Sequence, residues 1–113
     1  MRKIEVLIYR DPEERVTGFQ ISGHSNYRRR GNDILCSAVS ILAENTVNSI
    51  EVLTDDKPDI LAVNEAEGFL HYRLKTVSEK SELILQSFVL GLQKIEEEYG
   101  RYITIGFTEE SSC

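Results

Sequence analysis

The sequence predicts an α+β domain, a two-layer sandwich in which two helices cover one face of an antiparallel or mixed sheet. Two observations predict it. Short segments with apolar residues at every second position alternate with two longer segments of helical periodicity, in the order ββαββαβ. Each helical segment has an apolar stripe, and packing both stripes on one sheet face is the simplest way to bury them. We expect one domain over residues 1–113, with residues 108–113 as a flexible tail.

The first half of the chain contains a predicted hairpin and the first helix. Alternating apolar residues predict strands from about Arg2 to Arg10 and from Val16 to Ser22. After a polar segment, Asn32 or Asp33 is expected to cap a helix of about twenty residues, which the segment Thr54–Pro58 ends. The apolar residues at helical spacing are Ile34, Leu35, Ala38, Val39, Leu42, Val47, Ile50 and Leu53.

The second half repeats this order of elements. Residues 59–63 and 69–75 are the predicted strands of a second hairpin. Ser78 is the expected N-cap of the second helix, and Gly100 is its expected left-handed C-terminal cap. Residues 102–107 form the last predicted strand. The apolar stripe of the second helix consists of Ile84, Leu85, Phe88, Val89, Leu92, Ile95 and Tyr99.

The sheet face that the helices leave uncovered is a candidate dimer surface. Leu7, Tyr9 or Tyr72 is expected to point toward it. Because partly apolar faces of this kind are often buried between protein copies, we expect a homodimer.

Composition disfavours several classes of protein. Of the 113 residues, 41% are hydrophobic and 28% are charged, and the formal net charge is −6. An acidic protein is poorly suited to displace counterions from phosphates, so direct nucleic-acid binding is not expected and a cationic partner fits better. No apolar run approaches the roughly 18 residues that span a bilayer, and Glu5 interrupts the apolar start of the chain. We therefore expect a cytoplasmic protein with no membrane partner.

The residues with the most reactive side chains are concentrated between Gly23 and Ser40. Cys36 is one of only two cysteines, so it is either a small buried hydrophobe or a reactive thiolate. If Asp33 is the N-cap, Cys36 is the third helical residue, where unpaired amides would stabilise a thiolate and later an oxyanion. The arginines at 28–30 lie within a loop's reach and would lower the pKa of the thiol further.

His24 is the candidate base for this thiol. It follows the second predicted strand, and a loop that returns to the helix start would bring the imidazole and the thiol together. His24 would then accept the thiol proton and later protonate the leaving amine. Asp33 is a candidate to orient His24. Ser40, one helical turn after Cys36, is a candidate hydrogen-bonding residue of the site.

An interpretation without chemistry also fits these residues. In it, Cys36 is a buried spacer, His24 is an ordinary loop residue, and Gly23 and Gly31 serve only turn geometry. The arginines Arg28–Arg30 are then solvated or bind a phosphate.

No metal or cofactor is expected. A structural zinc site usually has four ligands, and Cys113 lies in the predicted tail. His71 lies on a predicted strand, where a partly exposed histidine needs no chemical role.

The segment from residue 23 to residue 40 resembles the signature of the ribosomal-processing cysteine proteases, a bacterial family of small cytosolic proteins of about this length. The matching residues are Gly23, His24, Gly31, Asp33, Cys36, Ala38 and Ser40. The predicted ββαββαβ order agrees with this family as well.

This resemblance implies a homodimeric endopeptidase that removes a short N-terminal extension from the precursor of a large-subunit ribosomal protein. It implies His24 as the base, Cys36 as the nucleophile of a thioester intermediate, and Asp33 and Ser40 as supporting residues. It also implies a mobile loop with glycine hinges over the site. The residues of that loop are Gly23, Ser25, Asn26, Tyr27, Arg28, Arg29, Arg30, Gly31 and Asn32. The alternative is a non-catalytic ribosome-associated binding module, in which the loop around Arg28–Arg30 contacts rRNA or an acidic protein patch.

Overall fold

The computed structural model describes residues 3–23 and 32–109, without the side chains of Asn32 and Asp33. These residues form five strands and two helices in the predicted order, so the expected α+β sandwich is confirmed. The elements are β1 Ile4–Arg10, β2 Val16–Ser22, α1 Asn32–Leu53, β3 Pro58–Asn64, β4 Phe69–Leu74, α2 Glu79–Tyr99 and β5 Ile103–Glu109.

The strands form one mixed sheet in the order β3-β4-β2-β1-β5. The hairpins β1–β2 and β3–β4 are antiparallel, and they are joined because β2 also pairs antiparallel with β4. β5 runs parallel to β1, with Ile103 opposite Ile4. It follows that β2 and β3 run in the same direction, as do β4 and β5. Each helix is therefore the crossover between two parallel strands, the long connection that such strands require.

The core lies between one sheet face and both helices. Alternation along β1 turns Ile4, Val6 and Ile8 to this face, and the buried stripes of both helices pack on them in a single cluster. Each fully buried side chain of this kind contributes about 1.5–3 kcal/mol relative to exposure. The buried hydrophobic residues are Ile4, Val6, Ile8, Val16, Phe19, Ile21, Leu35, Val39, Ala43, Ile50, Tyr72, Leu74, Leu85, Phe88, Val89, Leu92 and Ile103. Both helices therefore cover the same face, as predicted.

Tyr72 lies in this core, so its predicted place on the uncovered face is wrong. It stands opposite Phe19 in the register between β2 and β4, and the two ring centroids are 5.7 Å apart. Burial, followed by the negative charges of Asp56 and Glu51, raises the pKa of Tyr72 to about 12. Leu7 and Tyr9, by contrast, alternate with the core residues of β1 and are partly exposed on the other face.

The helix ends differ from the predictions in two places. α1 begins at Asn32, so Asn32 and Asp33 lie inside the helix instead of capping it. Gly100 has φ −60° and ψ −13°, so the predicted left-handed cap is wrong. The reason is local, because the Tyr102 amide donates to the Tyr99 carbonyl (2.8 Å) and the chain stays right-handed as it turns into β5. The N-cap Ser78 is confirmed, since its side chain accepts a hydrogen bond from the Ser81 amide.

The last strand is longer than predicted. β5 continues to Glu109, so residues 108 and 109 of the expected tail belong to the sheet. The rest of that tail, including Cys113, lies outside the described residues. In the two described stretches, neither helix is long and apolar enough to cross a membrane.

Candidate active site

Cys36 lies near the start of α1, on the side of the helix that approaches the sheet. Its side chain is half-buried and packs against the hydrophobic core, next to the buried Leu35. Cys36 carries a thiol. The Cys36 side chain is therefore partly accessible to solvent and is held in place by its contacts with the core.

The helix begins earlier than predicted, and this changes the surroundings of the thiol. Cys36 is the fifth residue of α1 instead of the third, so its own amide is inside the helical hydrogen-bonding pattern. Within the described chain, the amides without a helical acceptor belong to residues 32–34. Because Cα–Cβ bonds tilt toward the N-terminus of a helix, the Cys36 side chain leans over this first turn. The positive potential of the helix start therefore still favours a thiolate.

Ser40 and Cys36 share one flank of α1. Ser40 and Val47 follow Cys36 at four and eleven residues, a helical spacing, and all three are partly buried. The opposite flank carries Leu42, which faces α2: a Cβ on Gly91 would lie 3.3 Å from Leu42 Cδ1. The flank with Cys36 is therefore turned away from α2.

The flank with Cys36 faces the β4 and β3 side of the sheet. α2 packs against β2 and β5 at the other side, whereas the charge of Glu51, near the end of α1, acts on Tyr72 of β4. The predicted pair Cys36 and Ser40 is thus brought together on the more open side of the helical layer.

The other predicted site residues lie mostly outside the described part of the chain. These residues are His24, Ser25, Asn26, Tyr27, Arg28, Arg29, Arg30 and Gly31, and the side chains of Asn32 and Asp33. The backbone of Asp33 lies in the first turn of α1.

Gly23, the predicted hinge, lies within the part of the chain that the structure describes. Its φ is +83°, and an added Cβ would lie 2.7 Å from the Lys3 carbonyl oxygen. A larger residue would therefore meet both backbone strain and a collision at this position. Glycine is required at the point where the chain leaves β2 for His24.

His71 lies on the face of the sheet that the helices leave uncovered. It precedes the buried Tyr72 on β4, so its side chain points the opposite way. Its ring centroid lies 5.5 Å from that of Tyr9 and 6.4 Å from that of Phe69. The sheet separates His71 from Cys36, so His71 does not reach the thiol.

Asp56 links the two helices through hydrogen bonds, although no sequence motif marks it. It accepts hydrogen bonds from the Ser78 amide (3.0 Å), the Ser78 hydroxyl (2.7 Å) and the Ser81 hydroxyl. The bond from Ser81 is the main reason that the pKa of Asp56 lies below its ordinary value; partial burial opposes the shift, and the bonds from Ser78 add to it. This network joins the end of α1 to the start of α2.

The described residues, 3–23 and 32–109, contain no cluster of three or more histidine, cysteine, aspartate or glutamate side chains that could hold a metal ion.

Comparisons with known proteins give a consistent set of relatives. A family model described as cysteine protease Prp matches residues 3–104. The ribosomal processing cysteine protease Prp of Staphylococcus aureus is 35% identical over 105 residues, which cover 92% of this chain and 98% of that protein.

Two solved structures are also similar. One is the essential ribosomal processing protease Prp from S. aureus in complex with a substrate peptide, with a TM-score of 0.86, 33% identity, and coverage of 93% of this chain and 99% of that chain. The other is the same S. aureus protease in complex with a covalently linked product peptide, with a TM-score of 0.83, 34% identity and the same coverage of 93% and 99%.

Proposed function

The chain belongs to the cysteine protease Prp family and is a cysteine protease, and from this we propose that it removes the N-terminal extension of a large-subunit ribosomal protein precursor. The S. aureus relative is a ribosomal processing protease, and its structures hold a substrate peptide and a covalently linked product peptide. The formal net charge of −6 favours a basic substrate, as expected of a protein that binds rRNA.

In the proposed reaction, His24 accepts the proton of Cys36 and the thiolate attacks the scissile carbonyl carbon. The peptide bond breaks, the leaving amine takes the proton from His24, and the acyl group remains on Cys36 as a thioester. Water then attacks the thioester while His24 accepts its proton, which returns to the departing Cys36 sulfur as the acid product forms. We assign supporting roles to Asp33, which would orient His24, and to Ser40.

The observation that carries this proposal is the topology around Cys36. α1 is the crossover from β2 to β3, so it starts at the end of the sheet where β2 finishes. His24 follows β2 after the single residue Gly23, at this same end. The second histidine, His71, lies across the sheet from α1. The topology therefore supports His24 as the base for Cys36. The loop that we propose over the site is residues 25–31, since Asn32 belongs to α1, with Gly23 as one hinge.

The test is cleavage of a peptide that spans the junction between the extension and the mature ribosomal protein. We expect Cys36→Ala to give no cleavage above background and His24→Ala to lower kcat/KM by about 10²–10⁴-fold, because the general base is lost. Lys94→Ala, which removes an exposed charge on α2, is the control and should cleave the peptide at the wild-type rate. Wild-type rates for Cys36→Ala or His24→Ala would exclude the dyad, whereas an inactive wild-type protein would exclude the proposed substrate.

The proposal includes a homodimer in the cytoplasm. The uncovered sheet face, where Leu7 and Tyr9 are partly exposed, is the surface that we assign to dimerisation. Its aromatic contacts between Tyr9 and His71 give this face a rigid, partly apolar centre.

A further inference from the structure

Two exposed apolar side chains of β3 lie on the helix side of the sheet. Leu61 stands opposite the buried Tyr72, and Val63 stands opposite Leu70, which packs against the core. Directly opposed residues project to the same face, so Leu61 and Val63 point to the layer that holds the helices. They are nevertheless 52% and 59% exposed. The helical layer therefore stops short of β3.

The flank of α1 that carries Cys36 is on the β3 side of the helical layer. α1 and β3 are consecutive and run in opposite directions, since α1 is the crossover between the parallel strands β2 and β3. The start of α1, with Cys36, therefore lies toward the end of β3, with Val63. We call the surface formed by Cys36, Ser40 and Val47 of α1 and Leu61 and Val63 of β3 the α1–β3 strip.

β3 is also suited to pair with another strand. Within residues 3–23 and 32–109 its neighbour is β4 alone, and it forms one edge of the sheet. Alternate residues of an edge strand direct their amide and carbonyl groups outward, where an extended peptide can pair with them. The segment from Ile60 to Asn64 contains none of the charged residues that commonly protect an edge.

We propose that the substrate binds along the α1–β3 strip as an added strand beside β3, with apolar side chains at alternate positions against Leu61 and Val63. This inference rests on the proposed function, since the occupant is the peptide that must reach the Cys36 thiol. An extended peptide fits better than a second copy of the chain because the strip ends at that thiol. Glu65 and Glu67 follow β3 directly, and both are exposed. Their carboxylates complement cationic residues of the peptide that flank its apolar positions.

The experiment measures cleavage of the junction peptide by Leu61→Asp and Val63→Asp. Each charge would face the apolar side chains of the peptide, and we expect kcat/KM to fall at least about tenfold, mainly through a higher KM. Leu61→Thr tests the same contact with a residue that favours strands, and it should show a smaller loss in the same direction. Alkylation of Cys36 by iodoacetamide, which needs no peptide site, should be unchanged in all three variants.

Leu90→Asp is the matched control. Leu90 is 67% exposed, but it lies on the outer face of α2, away from the strip. The Leu90→Asp protein should cleave the peptide at the wild-type rate. Wild-type kcat/KM for Leu61→Asp and Val63→Asp, or an equal loss in Leu90→Asp, would overturn the inference while leaving the proposed function intact. Absence of cleavage by the wild-type protein would overturn the proposed function, and the inference with it.

Discussion

The two ends of α1 are stabilised in different ways. At the C-terminal end, the Thr54 hydroxyl donates to the Ile50 carbonyl (2.7 Å), the Asp56 amide donates to Thr54 Oγ1 (3.0 Å), and Asp56 binds Ser78 and Ser81. At the N-terminal end, Leu35 is buried and Cys36 packs against the core. A polar network thus joins one end of the helix to α2, while the other end presents a thiol.

A stabilising polar network and the candidate nucleophile therefore lie at opposite ends of one helix. A helix of 22 residues is about 33 Å long, so a substitution at one end is remote from the other. Distant substitutions usually contribute independently to the free energy of unfolding. Variants at the two ends should therefore change stability and activity separately.

Gly23→Ala should have a large effect on activity. An alanine at φ +83° and 2.7 Å from the Lys3 carbonyl oxygen must shift the backbone that leads to His24. Misplacement of a catalytic group by about 1 Å can cost about 10²-fold in rate, and we expect kcat/KM for the junction peptide to fall by that order. The strain should also lower the free energy of unfolding by about 1–3 kcal/mol. A folded Gly23→Ala protein with wild-type kcat/KM would show that this hinge does not position His24.

Alkylation of Cys36 should reveal an activated thiol. In a Cys113→Ser background, we expect the rate of iodoacetamide labelling to reach half its maximum below the ordinary thiol pKa of about 8.5, because the start of α1 favours the thiolate. Loss of the base in His24→Gln should reduce labelling at pH 7 by about tenfold, a shift of about one pKa unit. Labelling that occurs only above about pH 8 in both proteins would contradict an activated Cys36.

Asp56→Ala should change stability and leave the chemistry nearly unaltered. Removing the carboxylate leaves the buried Ser81 hydroxyl without its strong acceptor, so we expect a loss of about 1–3 kcal/mol in the free energy of unfolding, measured with urea at pH 7. Cleavage well below the unfolding transition should equal that of the wild type. Asp55→Ala, at an exposed neighbouring position, is the control and should lose less stability.

Acid should remove the stabilisation that the ionised Asp56 carboxylate contributes. The pKa of Asp56 is lower in the folded protein, so its stabilisation is fully present above the ordinary value of 3.8 and is lost as the pH falls from there through the lowered pKa. The difference in unfolding free energy between wild type and Asp56→Ala should therefore shrink below pH 3.8. An unchanged difference in strong acid would rule out the ionised carboxylate as the stabilising group.

Sequence periodicity was sufficient for the order of elements and most of the core. It failed at Tyr72, because β4 has amphipathic side chains on both faces and only its pairing with Phe19 decides which face is buried. It also failed at Gly100, where a turn between Tyr99 and Tyr102 keeps the chain right-handed. Asp56 gave no local signal, since its partners lie in another element and meet it only after the chain has folded.

The ββαββαβ order, the family and the candidate nucleophile Cys36 can all be inferred from the sequence alone, because periodicity and short motifs are local properties. The folded structure was needed to show that β2 and β3 are parallel, that Cys36 shares the open flank of α1 with Ser40, and that His71 lies across the sheet. These facts depend on strand pairing between distant residues. The α1–β3 strip also could not be inferred from the sequence. Leu61 and Val63 are exposed because the helical layer does not extend over β3, and no pattern within β3 indicates this.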